Sequence, residues 1–200
     1  MLLYDNPISG NCYKVRLLLA LLGIAYERRE LSVFDRSDRA DVLGDLNPAL
    51  RVPTLVLDDG RSLAESGAIL MYFAEGAGGS EFIPADRFER AQMLQWMFFE
   101  QYSLEPNIAV VRFWAEAGIQ RPEAELQAKR AGGEAVLAAM DRHLADREFF
   151  VADAYSLADI ALYAYTHVAP DGGFSLEPYP AIRAWLDRVA ARPGHITIDA

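Results

Sequence analysis

The chain has 200 residues, 52% of them hydrophobic, and a formal net charge of −10. Residues 1–75 carry 8 basic and 11 acidic side chains and residues 76–200 carry 11 and 18, so neither half offers the basic tract that nucleic-acid binding needs. A single cysteine excludes an internal disulfide framework, no uncharged apolar run approaches the roughly 18 residues of a bilayer span, and Asp5 follows Met1-Leu2-Leu3 with no basic leader, so a cytoplasmic enzyme is the simplest reading.

Met1 to Tyr4 reads as a strand closed by Asp5-Asn6-Pro7. Val15, Leu18, Leu19 and Leu22 recur at helical spacing over Tyr13 to Leu22, and Gly23 ends that helix. Tyr26 to Leu31 is a second strand, and Arg36 to Leu46 is polar and weakly helical. Thr54 to Leu57, the turn Asp58-Asp59-Gly60 and Arg61 to Leu63 form a hairpin, and a helix runs from Glu65 to Ala74. Gly76-Ala77-Gly78-Gly79-Ser80 is linker material. Beyond it the pattern is helical. Arg87 to about Ala117 is long and aromatic, with Pro106 expected to kink it. Glu123 to Ala145 follows, weakened by Gly132-Gly133. Leu157 to Val168 is apolar all round and should be buried, and Pro180 to Ala191 is the last helix. Ser156-Leu157-Ala158-Asp159 is a capping box that assigns Ser156 and Asp159 to folding.

Two stretches carry chemistry. Val52 precedes Pro53 and is therefore extended; with a cis bond its N–H and C=O would turn outward toward a ligand strand. Ser66 stands at a helix start, whose unpaired N–H groups and dipole suit a carboxylate, and Glu65 adds an acceptor for an ammonium. A capped surface helix would also contain this pair. His143, His167 and His195 share no metal-ligand spacing, and no metal site is read.

The Val-Pro strand entry, Glu65-Ser66-Gly67-Ala68-Ile69, the opening Tyr4-Asp5-Asn6-Pro7-Ile8-Ser9-Gly10-Asn11-Cys12 and Tyr155-Ser156-Leu157-Ala158-Asp159-Ile160 together resemble the glutathione S-transferase superfamily over essentially the whole chain. The resemblance implies an N-terminal thioredoxin-like domain of βαβαββα order at 1–76, a linker at 77–85 and an all-helical domain at 86–200. It implies glutathione as co-substrate, a small hydrophobic electrophile as second substrate, and a homodimer. A slightly positive mean hydropathy and the aromatic long helix add to the dimer expectation.

At the turn where thioredoxin-like proteins carry Cys-x-x-Cys, this chain has Ser9 first and Cys12 second, so a dithiol cycle is excluded. Ser9 is left as a stabiliser of the glutathione thiolate, or as an ordinary helix cap, a role Asn11 could equally fill. A free thiol is only about 3% ionised at neutral pH, so lowering its pKa by one or two would raise the reactive share roughly tenfold or more. Cys12 reads as a buried small hydrophobe or as a glutathionylation site. The resemblance adds Asn11, Arg39 (or Asp38), Arg51, Val52, Pro53, Glu65 and Ser66 as glutathione contacts; Arg51 could equally be a surface residue. Pro7, Ile8, Phe99, Tyr102 and Pro106 are the candidate electrophile pocket. A glutathione-dependent isomerase or dehalogenase and a non-catalytic glutathione-binding regulatory module are the alternatives.

Overall fold

The computed structural model describes residues 1–76 and 78–200; of the expected linker, Ala77 lies outside the described residues. Contacts divide the chain into two units. Met1–Ser80 and Pro193–Ala200 form the first, and Glu81–Arg192 the second. The last eight residues, assigned from sequence to the helical domain, thus pack with the first unit.

The first unit runs β1 (Leu2–Asp5), α1 (Gly10–Leu21), β2 (Glu27–Glu30), α2 (Arg39–Leu43), β3 (Thr54–Val56), β4 (Ser62–Ala64) and α3 (Ser66–Ala74). Its sheet has the order β2-β1-β3-β4, with β1 parallel to β2 and antiparallel to β3. This is the thioredoxin-like layout. Leu3 and Leu55, paired across β1 and β3, and Leu17 and Leu18 of α1 with Ile69 and Leu70 of α3 are all shielded from water. β2 is an edge strand of Glu27, Arg28, Arg29 and Glu30, all exposed, and its charges discourage pairing with another chain. α1 begins three residues earlier than its apolar spacing suggests because Ser9 caps it, and it ends at Gly23, whose φ of +64° suits a residue without Cβ.

In the second unit α4 (Arg87–Phe99) and α5 (Val110–Glu116) are joined by π-helical turns over Glu100–Ala109. The discontinuity expected at Pro106 takes this form. Proline has no N–H for the α-helical ladder, and a wider turn relieves its ring's clash with the preceding carbonyl. α6 (Glu123–Leu144) is continuous through Gly132 and Gly133. A Cβ on Gly133 would come within 2.4 Å of the Phe174 ring, and one on Gly132 within 2.7 Å of Asn107 Oδ1. Close packing, not helix weakness, explains the pair. α7 (Leu157–Thr166) is buried along all ten residues, and α8 (Pro180–Ala190) places Trp185 against it. Among the described residues no helix is long and apolar enough to cross a membrane.

Asp159 organises this core. Its Oδ2 accepts from the Ser156 N–H at 2.9 Å and the Ser156 hydroxyl at 3.0 Å. Its Oδ1 accepts from the Phe150 N–H at 3.2 Å and the Trp185 indole at 3.0 Å. The expected capping box is therefore present and extended, since the same carboxylate fixes α8 and the Phe149–Val151 segment.

Candidate functional site

The starts of α1 and α3 meet. After β1 the Asn6 side chain donates to Leu31 O (2.9 Å) and accepts from the Ile8 N–H (3.2 Å), which turns the chain into Ser9. The Ser9 Oγ accepts from the Cys12 N–H at 3.3 Å. Capping uses a lone pair, so the hydroxyl hydrogen is still able to donate to a ligand atom. The cap and thiolate-stabiliser readings are compatible.

Asn11, in the first turn of α1, links the two helices. Its Oδ1 accepts from Lys14 Nζ at 2.7 Å and from the Ser66 hydroxyl at 3.3 Å. Ser66 is 4% exposed and opens α3. Glu65 before it is exposed and has φ +66°, ψ 116°, a conformation non-glycine residues avoid, which surrounding structure must impose. Two helix N-termini, each able to favour negative charge, therefore share a hydrogen-bonded corner.

Val52–Pro53 is a cis peptide. Among the described residues the Val52 backbone makes no hydrogen bond, whereas the residues beside it are braced. Asn47 Nδ2 donates to Arg51 O and to Thr54 Oγ1, both at 3.0 Å, and the Thr54 hydroxyl donates to Arg51 O at 2.7 Å. Sequence reasoning passed over this brace. Its signal was the Asn-Pro that opens the loop and the Thr that opens β3.

Arg39 is 2% exposed and donates to the backbone carbonyls of Ser32 and Leu50, the latter at 3.5 Å, so it clamps the loop ahead of α2. Arg51 is exposed, and Asp38 ends the loop before α2 without a capping bond. Pro7 and Ile8 flank Ser9 and are half-buried. In the second unit Phe99 packs edge-on to Trp96 at 5.1 Å, Tyr102 is 87% exposed, and Pro106 lies in the π-helical run.

Cys12 is fully buried. Burial, and then the negative charge of Asp5, push its thiol well above the ordinary range against the hydrogen bond to Ser9. It stays protonated and inert. Cys12→Ala should keep most transferase activity and cost about 1–2 kcal/mol, checked by urea unfolding alongside a conjugation assay. A loss of nearly all activity without unfolding would contradict this.

Two charged side chains, Asp5 and Arg16, are drawn inward, and the exposed Arg28 reaches in to join them. Asp5 is 0% exposed, and Arg16 Nη1 donates to its two oxygens at 2.8 and 2.9 Å. Arg28 Nε also pairs with Asp5. One buried carboxylate between two guanidiniums anchors α1 and β2 to the end of β1.

A thioredoxin-like sheet with two helix starts joined by a hydrogen bond and a cis Val-Pro ahead of β3, carried with an all-helical unit, defines the class of two-domain glutathione-dependent proteins that the motifs resemble. The chain belongs to the glutathione S-transferase family and is a glutathione S-transferase-like enzyme. Residues 3–81 match the glutathione S-transferase N-terminal domain, and residues 92–193 match the C-terminal domain. A glutathione S-transferase from Pseudomonas fluorescens superposes with a TM-score of 0.92 at 42% identity, over 98% of both chains. Glutathione S-transferase 2 of Anopheles gambiae is 29% identical over 96% of this chain and 91% of its own length. Disulfide-bond oxidoreductase YfcG of Escherichia coli is likewise 29% identical, over 96% and 90%.

Proposed function

We propose that the protein binds reduced glutathione at the corner of α1 and α3 and transfers its thiolate to small hydrophobic electrophiles. The observation that carries this is the Ser66–Asn11 hydrogen bond, which joins one helix end suited to a carboxylate to another suited to a thiolate. The α3 N–H groups would take the γ-glutamyl carboxylate, with the Ser66 hydroxyl turning from Asn11 to join them, and Glu65 would take its ammonium. The Val52 N–H and C=O would pair with the peptide backbone of the ligand, between the brace of Asn47 and Thr54. Ser9 would donate its hydroxyl hydrogen to the sulfur and so hold it as thiolate at neutral pH. The thiolate then attacks the electrophilic carbon, a carbon–sulfur bond forms, and the leaving group departs with its electron pair. Asn11, its Oδ1 held by Lys14 and Ser66, would contact the ligand from the first turn of α1. Arg51, which is exposed, would meet the glycine carboxylate, because Arg39 is already spent on backbone carbonyls.

A disulfide oxidoreductase is the second reading, prompted by the relative of that name. The burial of Cys12 weighs against it, since an exchange reaction needs an accessible thiolate. The test is a glutathione-dependent activity screen across aryl halides, epoxides, isothiocyanates and organic hydroperoxides, run beside exchange on a mixed disulfide. Conjugation with weak exchange is expected. Strong exchange without conjugation would overturn the transferase reading.

We further propose that the enzyme is a homodimer. Tyr72 is 45% exposed on the first unit, and on the second Phe88, Phe98 and Tyr102 are 70%, 69% and 87% exposed. Aromatic rings left in water at this density on a helix mark an interface. Sedimentation at micromolar concentration should give about twice the 22.2 kDa chain mass. A stable monomer would contradict it.

A further inference from the structure

We propose that the terminal segment Pro193–Ala200 is a strap that positions Ser9, with Arg16 as the residue that transmits the hold. Three side chains of the first unit take alternate carbonyls of this segment. Tyr13 Oη donates to Ile196 O at 2.8 Å, Arg16 Nη2 donates to Ile198 O, and Arg28 Nη1 donates to Ala200 O at 3.0 Å. Gly194 lies on the backbone of Leu21, so the segment runs along α1. A grip on backbone carbonyls holds the segment without regard to most of its side chains.

Arg16 makes this more than a packing contact. Its guanidinium is 1% exposed, and all its bonds go to Asp5, the Ser9 loop and the strap. Nη1 donates to Asp5 and to Asn6 O at 3.0 Å. Nη2 donates to Pro7 O at 3.1 Å and to Ile198 O. Nη2 has two hydrogens, so one holds the loop and the other the strap. Nε is buried without a hydrogen-bond partner, so the guanidinium already carries one unsatisfied donor. Removing the Ile198 carbonyl leaves a second buried N–H unpaired. With the strap gone, water reaches this end of the guanidinium and competes for Nη2, which loosens its hold on Pro7 O, two residues ahead of Ser9, while Nη1 stays on Asp5. Asp5 and Arg28 share the network, and Arg28 is itself tied to the strap by Ala200 O, so both ends of the Asp5 pairing feel its loss. A shift of the Ser9 hydroxyl by a fraction of an ångström weakens thiolate stabilisation far more than glutathione binding, because binding rests on Ser66, Glu65 and Val52.

This inference rests on the glutathione reading above, so the full-length protein is measured first. Bound glutathione with a depressed thiol pKa is required; its absence would overturn that reading and the strap's role with it. The chain ending at Arg192 is then compared with the full chain, both at a temperature where each is folded by near-ultraviolet circular dichroism. The expected result is a fall in kcat of about tenfold, a rise in the pKa of the bound thiol, and a glutathione KM changed by less than about threefold. The free peptide of residues 193–200 at millimolar concentration should restore much of the lost kcat. Where the shortened chain does not fold, Arg16→Lys in the full chain takes its place. It keeps a charge beside Asp5 but cannot bridge two carbonyls. A purely structural strap would lower Tm while leaving kcat and the thiol pKa within twofold of the full chain, and that result would overturn the proposal.

Discussion

Ser9→Ala is expected to lower the rate of glutathione conjugation about 8–25-fold at neutral pH while glutathione affinity stays within a few-fold of wild type. The hydroxyl has two jobs in the structure. Its lone pair caps α1 through the Cys12 N–H, and its hydrogen is available to the sulfur. Losing the cap costs about 1 kcal/mol of stability, which unfolding would report. Losing the donor raises the bound thiol's pKa toward its ordinary value of about 8.5, and one to two pKa units of ionisation account for the expected rate loss. Ser9→Thr preserves both the lone pair and the hydrogen and should recover activity where the added methyl fits. The discriminating measurement is thiolate absorbance against pH for both proteins with glutathione bound. Superimposed curves would assign the stabilisation to Asn11 or to backbone N–H groups.

The largest stability effect is expected at Asp159, far from any chemistry. Asp159→Asn replaces one of two oxygens with an amide that cannot accept. The amide keeps its oxygen toward the Phe150 N–H and the Trp185 indole and its nitrogen toward Ser156, where the hydroxyl turns to accept but the Ser156 N–H faces another donor. That buried donor left unpaired costs about 1–3 kcal/mol, a sizeable part of a domain's stability. The pH dependence supplies a second check. Burial lifts the Asp159 carboxyl to about 6, against the pull of its four hydrogen bonds. A folded-state pKa raised above the unfolded value means the folded form binds the extra proton. The associated stability is fully present below the unfolded pKa near 4 and is lost as pH rises through about 6. Asparagine does not titrate, so the stability gap between wild type and Asp159→Asn should be wider at pH 5 than at pH 7. Urea unfolding at the two pH values tests this; a gap that widens toward pH 7 would show that hydrogen bonding, not burial, sets the carboxyl's titration.

What could be read from the sequence was local. The Ser-x-x-Asp spacing announced the α7 capping box, and the apolar run that follows it announced a buried helix, because both depend on neighbours within one turn. The order of strands and helices followed for the same reason. The start of α1 was misplaced by three residues because periodicity marks the buried face and not the cap. What escaped was long-range pairing. Lys14 and Arg16 look like the polar side of an amphipathic helix, yet their burial depends on Asn11, Asp5 and a carbonyl 182 residues away. Arg39 looked like a carboxylate ligand, and only the path of the Ser32–Leu50 loop turns it into a backbone clamp. Gly132 and Gly133 read as helix weakeners until Asn107 and Phe174 were found against them. The positive φ of Glu65 has no signal in a glutamate; it is imposed by the turn from β4 into α3.

The central claim is that the corner of α1 and α3 holds glutathione. Calorimetric titration of the wild-type protein with reduced glutathione tests it most directly. The account predicts a saturable heat with one site per chain at or below millimolar ligand, weakened about tenfold or more by Glu65→Ala, since that variant removes the charged partner of the ligand's ammonium. No saturable heat at millimolar glutathione, from protein shown to be folded, would contradict it.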